Sequence, residues 1–290
     1  MDKGSEILAS IFERLVSLTS EAERSAEMRR YLKAMATFRQ YSWRNTLLIV
    51  AQRPNATKVA GFRTWLKLGR HVRKGEKGII ISAPIIVKES RTEDGEIVVR
   101  QKLVGFRDEY VFDISQTDGE ALPEPPNWWA NRLADERVLA LKERVIRSMQ
   151  EDGISVKYLS ELGGARGVSL GGTVVLLEND ATVGSLSTAV HEWAHELQRE
   201  RGRPDSRTKR EVEAEAVAFV VLAAFGVDVP ENGNYIASWA GGKDGDAAKE
   251  LRRFFESVLE KARYIIGRIE GRPTKLATAD IELATESASE

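Results

Sequence analysis

Two histidines four residues apart, with a glutamate after the first, stand out in a chain that has only three histidines and no cysteine. They lie in His191-Glu192-Trp193-Ala194-His195. On an α-helix, residues four apart share a face, so both imidazoles can offer a ring nitrogen to one zinc ion. Glu192 then sits beside the ion, placed to hold a water molecule and take its proton, which is the chemistry of metal-assisted attack on a carbonyl. Without cysteine, thiolate ligands, disulfides and a thiol nucleophile are all excluded. The remaining protein ligand must be a carboxylate from a second helix, and Arg210-Glu211-Val212-Glu213-Ala214-Glu215-Ala216 supplies candidates. Glu211 and Glu215 share a helical face, so one can bind the metal while the other orients an imidazole; spacing does not choose between them. The first assignment has Glu211 on the zinc and Glu215 behind it, with Glu213, which points elsewhere, ranked third. His71, within Leu68-Gly69-Arg70-His71-Val72-Arg73, reads as an ordinary surface or core histidine.

The elements that must position these residues can be read from hydropathy and turn residues. Ile7, Leu8, Ile11, Phe12 and Leu15 recur at helical spacing from Ser5 onward, with a second helical piece running to about Phe38. Tyr41 to Gln52 is a further helix, stopped by Pro54-Asn55, and Phe62 to Leu68 a short one ending at Gly69. Ile79–Ser82, Ile85–Val87 and Glu96–Val99 read as strands, the last two flanking a turn at Asp94-Gly95, and Tyr110-Val111-Phe112 as another. Thr117 to Pro126 has the turn and proline content of a linker. Beyond it come a helix from Trp128 to Met149, a glycine-rich turn from Gly163 to Gly172, a strand at Thr173–Leu177, and helices at His191, Thr208–Phe225 and Asp246–Ile269. The strand at Val174–Leu177, just before the metal helix, is a candidate sheet edge for an extended substrate. The chain is thus α+β, with N-terminal helices and a small antiparallel sheet followed by a mainly helical half with a short sheet.

At 290 residues, 42% hydrophobic and 30% charged, the chain has enough apolar material for one large or two modest cores. Ala216–Phe225, its longest apolar run, is about half the length of a membrane span, so no membrane is expected. The N-terminal MDKGSEILAS lacks the pattern of a secretory signal, and a cytoplasmic protein is expected. A net charge of −1 conceals a strongly basic segment: from Met28 to Ile80 there are thirteen bases and one acid. Those bases interleave with Tyr41, Trp43, Phe62 and Trp65, the combination with which a single-strand binder tracks phosphates and stacks bases. The candidate DNA-binding residues are Tyr41, Trp43, Arg44, Asn45, Arg53, Arg63, Trp65, Arg70, Arg73, Lys74 and Lys77.

Several blocks resemble the N-terminal domain of ArdC-type antirestriction proteins. They are Tyr41-Ser42-Trp43-Arg44-Asn45-Thr46-Leu47-Leu48, Gln52-Arg53-Pro54-Asn55-Ala56-Thr57, Gly61-Phe62-Arg63-Thr64-Trp65, Leu68-Gly69-Arg70, Val72-Arg73-Lys74-Gly75-Glu76-Lys77-Gly78 and Val111-Phe112-Asp113-Ile114-Ser115-Gln116-Thr117. Glu211 to Glu215 resembles that family's later carboxylate block, whereas Trp193-Ala194 and the short connection between the two metal-bearing helices depart from its pattern. The resemblance implies a single-stranded-DNA-binding domain at residues 1–120 and a zincin-like (gluzincin) metallopeptidase domain at 133–275; turn and proline content put a linker at 121–132, and four acids without a base make 276–290 an acidic disordered tail. The resemblance also implies zinc as cofactor, and single-stranded DNA and a protein or peptide substrate as partners. The expected function is protection of incoming mobile DNA against restriction. A non-catalytic DNA-coating protein with structural zinc and a repressor-cleaving regulatory protease are the alternatives.

Overall fold

Apolar spacing along the helices and alternation along the strands produce the α+β chain that the sequence predicts, with short strands added between the predicted elements. The computed structural model describes residues 2–18, 21–93, 96–122, 134–178, 182–199, 206–228 and 247–274. The turn at Asp94-Gly95, the linker from residue 123 onward, the helix starts at Trp128 and Asp246, and the acidic tail lie outside them. Two compact units form, one from Met1–Ile11 and Arg44–Leu122 and the other from Phe12–Trp43 and Pro123–Lys275, over their described residues.

In the first unit the strands read separately at 79–82 and 85–87 are one long strand, β3 (Ile79–Glu93), whose register slips between Ile85 and Ile86. It pairs antiparallel with β4 (Glu96–Asp113), and β1 (Val59–Gly61) covers the other edge of β4, giving the order β1-β4-β3. An open β3 edge would leave backbone groups unpaired. Helix α3 (Trp43–Gln52) supplies them with side-chain amides instead. Asn45 donates to the Ser82 carbonyl (2.9 Å) and accepts from its N–H (2.8 Å), and Gln52 does the same at Ile80 (2.8 and 3.0 Å).

Asp113, 1% exposed, closes this unit. Its carboxylate accepts from the N–H groups of Thr57 (2.8 Å), Lys58 (3.1 Å) and Ser115 (3.0 Å). Its own N–H donates to Gln116 (2.9 Å), whose amide donates in turn to Glu76 (3.0 Å) and the Lys77 carbonyl (2.8 Å). Helix α4 (Phe62–Lys67) is fastened alongside by Trp65, whose indole N–H donates to the Phe112 carbonyl at 2.9 Å. The short strands β2 (Arg70–Val72) and β5 (Thr117–Gly119), absent from the sequence reading, pair antiparallel.

The second unit packs helices around α7 (Arg207–Ala224). Val212, Ala214, Ala216, Val217, Ala218, Val220, Val221 and Leu222 are all buried, so the long apolar run is an interior helix. Around it are α2 (Glu21–Thr37), α6 (Val183–Arg199) and α8 (Ala247–Ile269), with α5 (Ala134–Glu151) against α6. Glu213 leaves the ligand face altogether: it pairs with buried Lys261 of α8 at 2.6 Å and accepts from Ser257 at 3.0 Å. A three-stranded sheet completes the unit, with β6 (Ser155–Leu159) parallel and β7 (Gly167–Ser169) antiparallel to a central β8 (Thr173–Leu177). Among the described residues no helix is long and apolar enough to cross a membrane.

Burial alone would raise the Asp113 carboxyl pKa, but its hydrogen bonds from Ser115, Thr57 and Lys58 outweigh that and hold it below the ordinary 3.8. Asp113→Asn is expected to lower stability by about 1–3 kcal/mol at neutral pH, read as a lower urea midpoint. A depressed folded-state pKa means that the contribution is complete above the unfolded value and is lost as pH falls through the folded one. The deficit of the variant should therefore shrink below about pH 4.

Candidate metal centre

Helix α6 has two faces. Leu186, Ala189, Val190, Trp193, Ala194 and Leu197 are buried, which accounts for the Trp193-Ala194 pair inside the motif: both residues serve the core. His191, Glu192 and His195 occupy the other side and meet the face of α7 that bears Glu211 and Glu215.

The imidazole Nε2 atoms of His191 and His195 stand 3.0 Å apart, and Glu211 Oε2 is 3.4 Å from each. The distal ring nitrogens are held from behind. His191 Nδ1 faces Glu215 Oε2 at 3.3 Å, and His195 Nδ1 faces Gln198 Oε1 at 2.9 Å. Gln198 uses its Nε2 to donate to the Arg210 carbonyl (3.0 Å), so its oxygen must accept and His195 Nδ1 must donate. With Nδ1 the donor in both rings, each Nε2 carries a lone pair directed at the other and at a carboxylate oxygen. Such a cluster of acceptors fits a cation. A point equidistant from the three atoms lies roughly 1.9 Å from each, close to the ~2.0–2.2 Å of zinc–nitrogen and zinc–carboxylate bonds. His191, His195 and Glu211 are the group among the described residues whose ligand atoms converge in this way. Gln198 was not singled out from the sequence; its position three residues after His195 on the same helix was the available signal.

Burial lowers the pKa of His191, but the Glu215 hydrogen bond and the nearby charges of Glu192, Glu215 and Glu211 raise it above its ordinary value overall. Glu192 is 7% exposed. Burial pushes its carboxyl up, opposed by His191 and His195 and by the Ser169 backbone N–H that it accepts. One turn on, Glu196 accepts from Ser169 Oγ and from the N–H groups of Gly171 (3.0 Å) and Gly172 (2.6 Å). The two glutamates thus attach the β7–β8 hairpin to α6, at a turn where Gly171 and Gly172 have φ of 82° and 74°.

This arrangement corrects the reading of the sheet. Val174–Leu177 belongs to the central strand, so it is not the edge. The edge beside the metal centre is β7, hidden in the glycine-rich stretch. Leu170 N–H donates to the Thr173 carbonyl and Leu177 N–H to the Arg166 carbonyl, which sets the alternation and directs the polar groups of Gly167 and Ser169 away from β8. The cleft formed there, about 870 Å³, is bordered by Gly167, Val168, Ser169, Glu192, His195 and Glu211, among others.

The candidate DNA-binding residues are not brought together in the same way. Trp65 is 1% exposed and cannot stack on a base where it lies; this corrects its assignment. Asn45 is committed to Ser82. Arg70 donates to Thr117 Oγ1 (2.8 Å), the Thr117 carbonyl (2.9 Å) and the Gly119 carbonyl (3.1 Å), and Arg73 pairs with Glu76 (2.8 Å) and Asp118 (3.3 Å). Arg44 donates to Ser5 (2.7 Å) over the Phe106 ring, and Arg53 to Ser115 (3.0 Å). Half-buried Tyr41 and Trp43 stack edgewise or tilted on Phe38 and Phe12. Arg63, Lys74 and Lys77 are exposed. Phe62, one of the aromatics interleaved with the bases, is 49% exposed, and Tyr110, which the sequence reading does not single out for stacking, is 52% exposed.

Residues 2–112 match the family model for the N-terminal domain of anti-restriction factor ArdC. The chain carries an ArdC-type N-terminal domain. The ArdC-type fold extends beyond it: the antirestriction ArdC protein from the R388 plasmid, in its Mn(II)-bound structure, is similar at a TM-score of 0.54 with 19% identity, covering 93% of this chain and 98% of that one. Its metal-free structure gives a TM-score of 0.51 with 20% identity over 81% and 87%. In sequence, the chain is 27% identical to an uncharacterized Bacillus anthracis protein, pXO2-81, over 90% of its own length. It spans about half the length of that relative.

A Cβ at Gly167 would come within 2.5 Å of Thr188 Cγ2 and 3.0 Å of Glu192 Cγ. Gly167→Ala is expected to cost about 1–3 kcal/mol in thermal unfolding and to weaken metal uptake by displacing Glu192. Adding Thr188→Ser, which deletes the nearer obstacle, should restore part of both; no change in either quantity would mean that β7 is free to move away from α6.

Proposed function

We propose that this chain is an antirestriction protein with two activities: its N-terminal module holds single-stranded DNA, and its C-terminal module is a zinc-dependent peptidase acting on a protein associated with that DNA. The observation that carries the peptidase reading is the convergence of His191 Nε2, His195 Nε2 and Glu211 Oε2 beside a buried, hydrogen-bonded Glu192. The Mn(II)-bound form of the similar ArdC protein supports a divalent ion as cofactor, and the nitrogen-rich ligand set favours zinc. His191, His195 and Glu211 would hold the ion, and Glu215 and Gln198 would fix the two imidazoles. A divalent ion bound there supplies Lewis acidity, polarising a carbonyl and acidifying water. Glu192 accepts the proton of the attacking water and passes it to the leaving amine, and the edge of β7 aligns an extended peptide across the cleft.

For the DNA module the exposed bases Arg63, Lys67, Lys74 and Lys77 track phosphates, and Phe62 and Tyr110 offer ring faces. The place of action is the cytoplasm, where incoming DNA meets restriction enzymes.

Metal analysis of full-length protein should find about one zinc per chain, absent from His191→Ala and Glu211→Ala and weakened in Glu215→Ala. Glu192→Gln should keep the metal and lose about a hundredfold or more in peptide hydrolysis. If Glu192→Gln instead protects DNA from restriction as well as wild type, the protein acts by coating the strand. In anisotropy titrations with a single-stranded oligonucleotide, Lys74→Glu and Lys77→Glu should each reduce the slope of log affinity against log salt by about 0.7. Salt-insensitive binding by wild type would remove DNA from the reading.

A further inference from the structure

We propose that the metal-centre cleft takes a substrate bearing a carboxylate close to the bond that is cut, and that Arg207 receives it. This rests on the hydrolase reading and adds a substrate class to it. The cleft has unlike walls. One, formed by Ala165, Gly167, Val168 and Ser169, is small and uncharged. The other is the first turn of α7, with Arg207 and Arg210 three residues apart on one face and both lining the cleft. Lys209 turns the other way and pairs with Glu250 at 2.6 Å. With Glu211 given to the ion and Glu192 to the proton, the guanidinium of Arg207 is a cation at the cleft available to a substrate.

Arg207 has no comparable structural task. Its side chain is 89% exposed, and its ion-pair contact among the described residues is Nε to Glu211 Oε1 at 4.0 Å, the far limit for such a pair. That contact places Arg207 on the metal side of α7, because the other oxygen of Glu211 is the one facing both imidazoles. Its position in the helix points the same way. The first turn of an α-helix favours acids, yet α7 opens Arg207-Thr208-Lys209-Arg210 with no acid at all. Arg207 opposes the helix dipole without a close ion pair among the described residues, which is explained if an anion docks there, attracted by the guanidinium and the dipole together. A planar carboxylate is the group that an arginine fork binds with two parallel hydrogen bonds. Its source is a side chain of Asp or Glu, or the C-terminus of a peptide.

The test is digestion of randomised peptide libraries, as free acids and as C-terminal amides, by the zinc-loaded full chain, with cut sites read by mass spectrometry. Enrichment of Asp or Glu at one fixed position beside the cut is expected in both libraries if the source is a side chain. Cuts confined to the C-terminal end and lost on amidation identify the chain terminus. In either case Arg207→Ala should abolish the preference and raise KM for the acid-bearing peptide roughly tenfold relative to its neutral counterpart. Arg207→Lys should keep part of the preference and Arg207→Glu should turn it toward basic residues. Cutting without acid preference, or a preference that survives Arg207→Ala, overturns the inference and leaves the peptidase standing. Failure of the metal-loaded chain to cut any peptide, or cutting of single-stranded DNA instead, overturns both.

Discussion

Lone pairs crowded together repel, and holding two imidazole nitrogens and a carboxylate oxygen within 3.4 Å of one another is the demand around which the second unit is organised. The demand is met by making each ligand-bearing helix rigid on its other sides. α6 commits Trp193 and Leu197 to the core, and α7 is enclosed by apolar residues along most of its length. The rotational setting of α7 has a polar lock as well. Its alternating carboxylates divide so that Glu211 and Glu215 meet His191 while Glu213 meets Lys261. A buried ion pair is a modest source of stability but a strict one of geometry, since a turned α7 would strand an ammonium without its partner.

The first unit solves a different problem with similar means. Its long hairpin has an edge that would recruit other strands, and Asn45 and Gln52 cover the start of that edge, at Ser82 and Ile80, with side-chain amides that imitate a strand's donors and acceptors. Asp113, Gln116, Arg70 and Arg73 gather the loops at one end of that sheet. Much of the polar character of this module is therefore turned inward, and the cations left facing water are fewer than its composition suggests.

What the sequence reveals follows from how local each feature is. The His191 and His195 pairing is legible because helical spacing alone brings the two rings together, and the buried character of Ala216–Phe225 because its length and polarity admit little else. β7 escaped notice because three residues between glycines carry no alternation. Trp65 looked like a stacking residue because an aromatic within a basic stretch reads the same whether it faces water or the core. Arg70 and Arg73 looked available because their acceptors, Thr117 and Asp118, lie more than forty positions further on. Contacts of that separation exist only after folding.

The hairpin attachment on α6 carries a constraint on how this region can vary. Glu192 holds the Ser169 N–H, and Glu196, one helical turn later, holds the N–H groups of Gly171 and Gly172. The strand is thereby indexed to the helix residue by residue. Side chains on a strand alternate between faces, so adding one residue between Val168 and Gly171 would carry Val168 into the space that the hydrogen of Gly167 now occupies, and deleting one would carry Arg166 there. Changes in length are accommodated more readily before Arg166, in the loop from Ser160 to Ala165, where the chain can lengthen without moving either anchored amide. A change of length at the cleft rim is therefore easiest in that loop, while the strand beside the candidate metal ligands keeps its count.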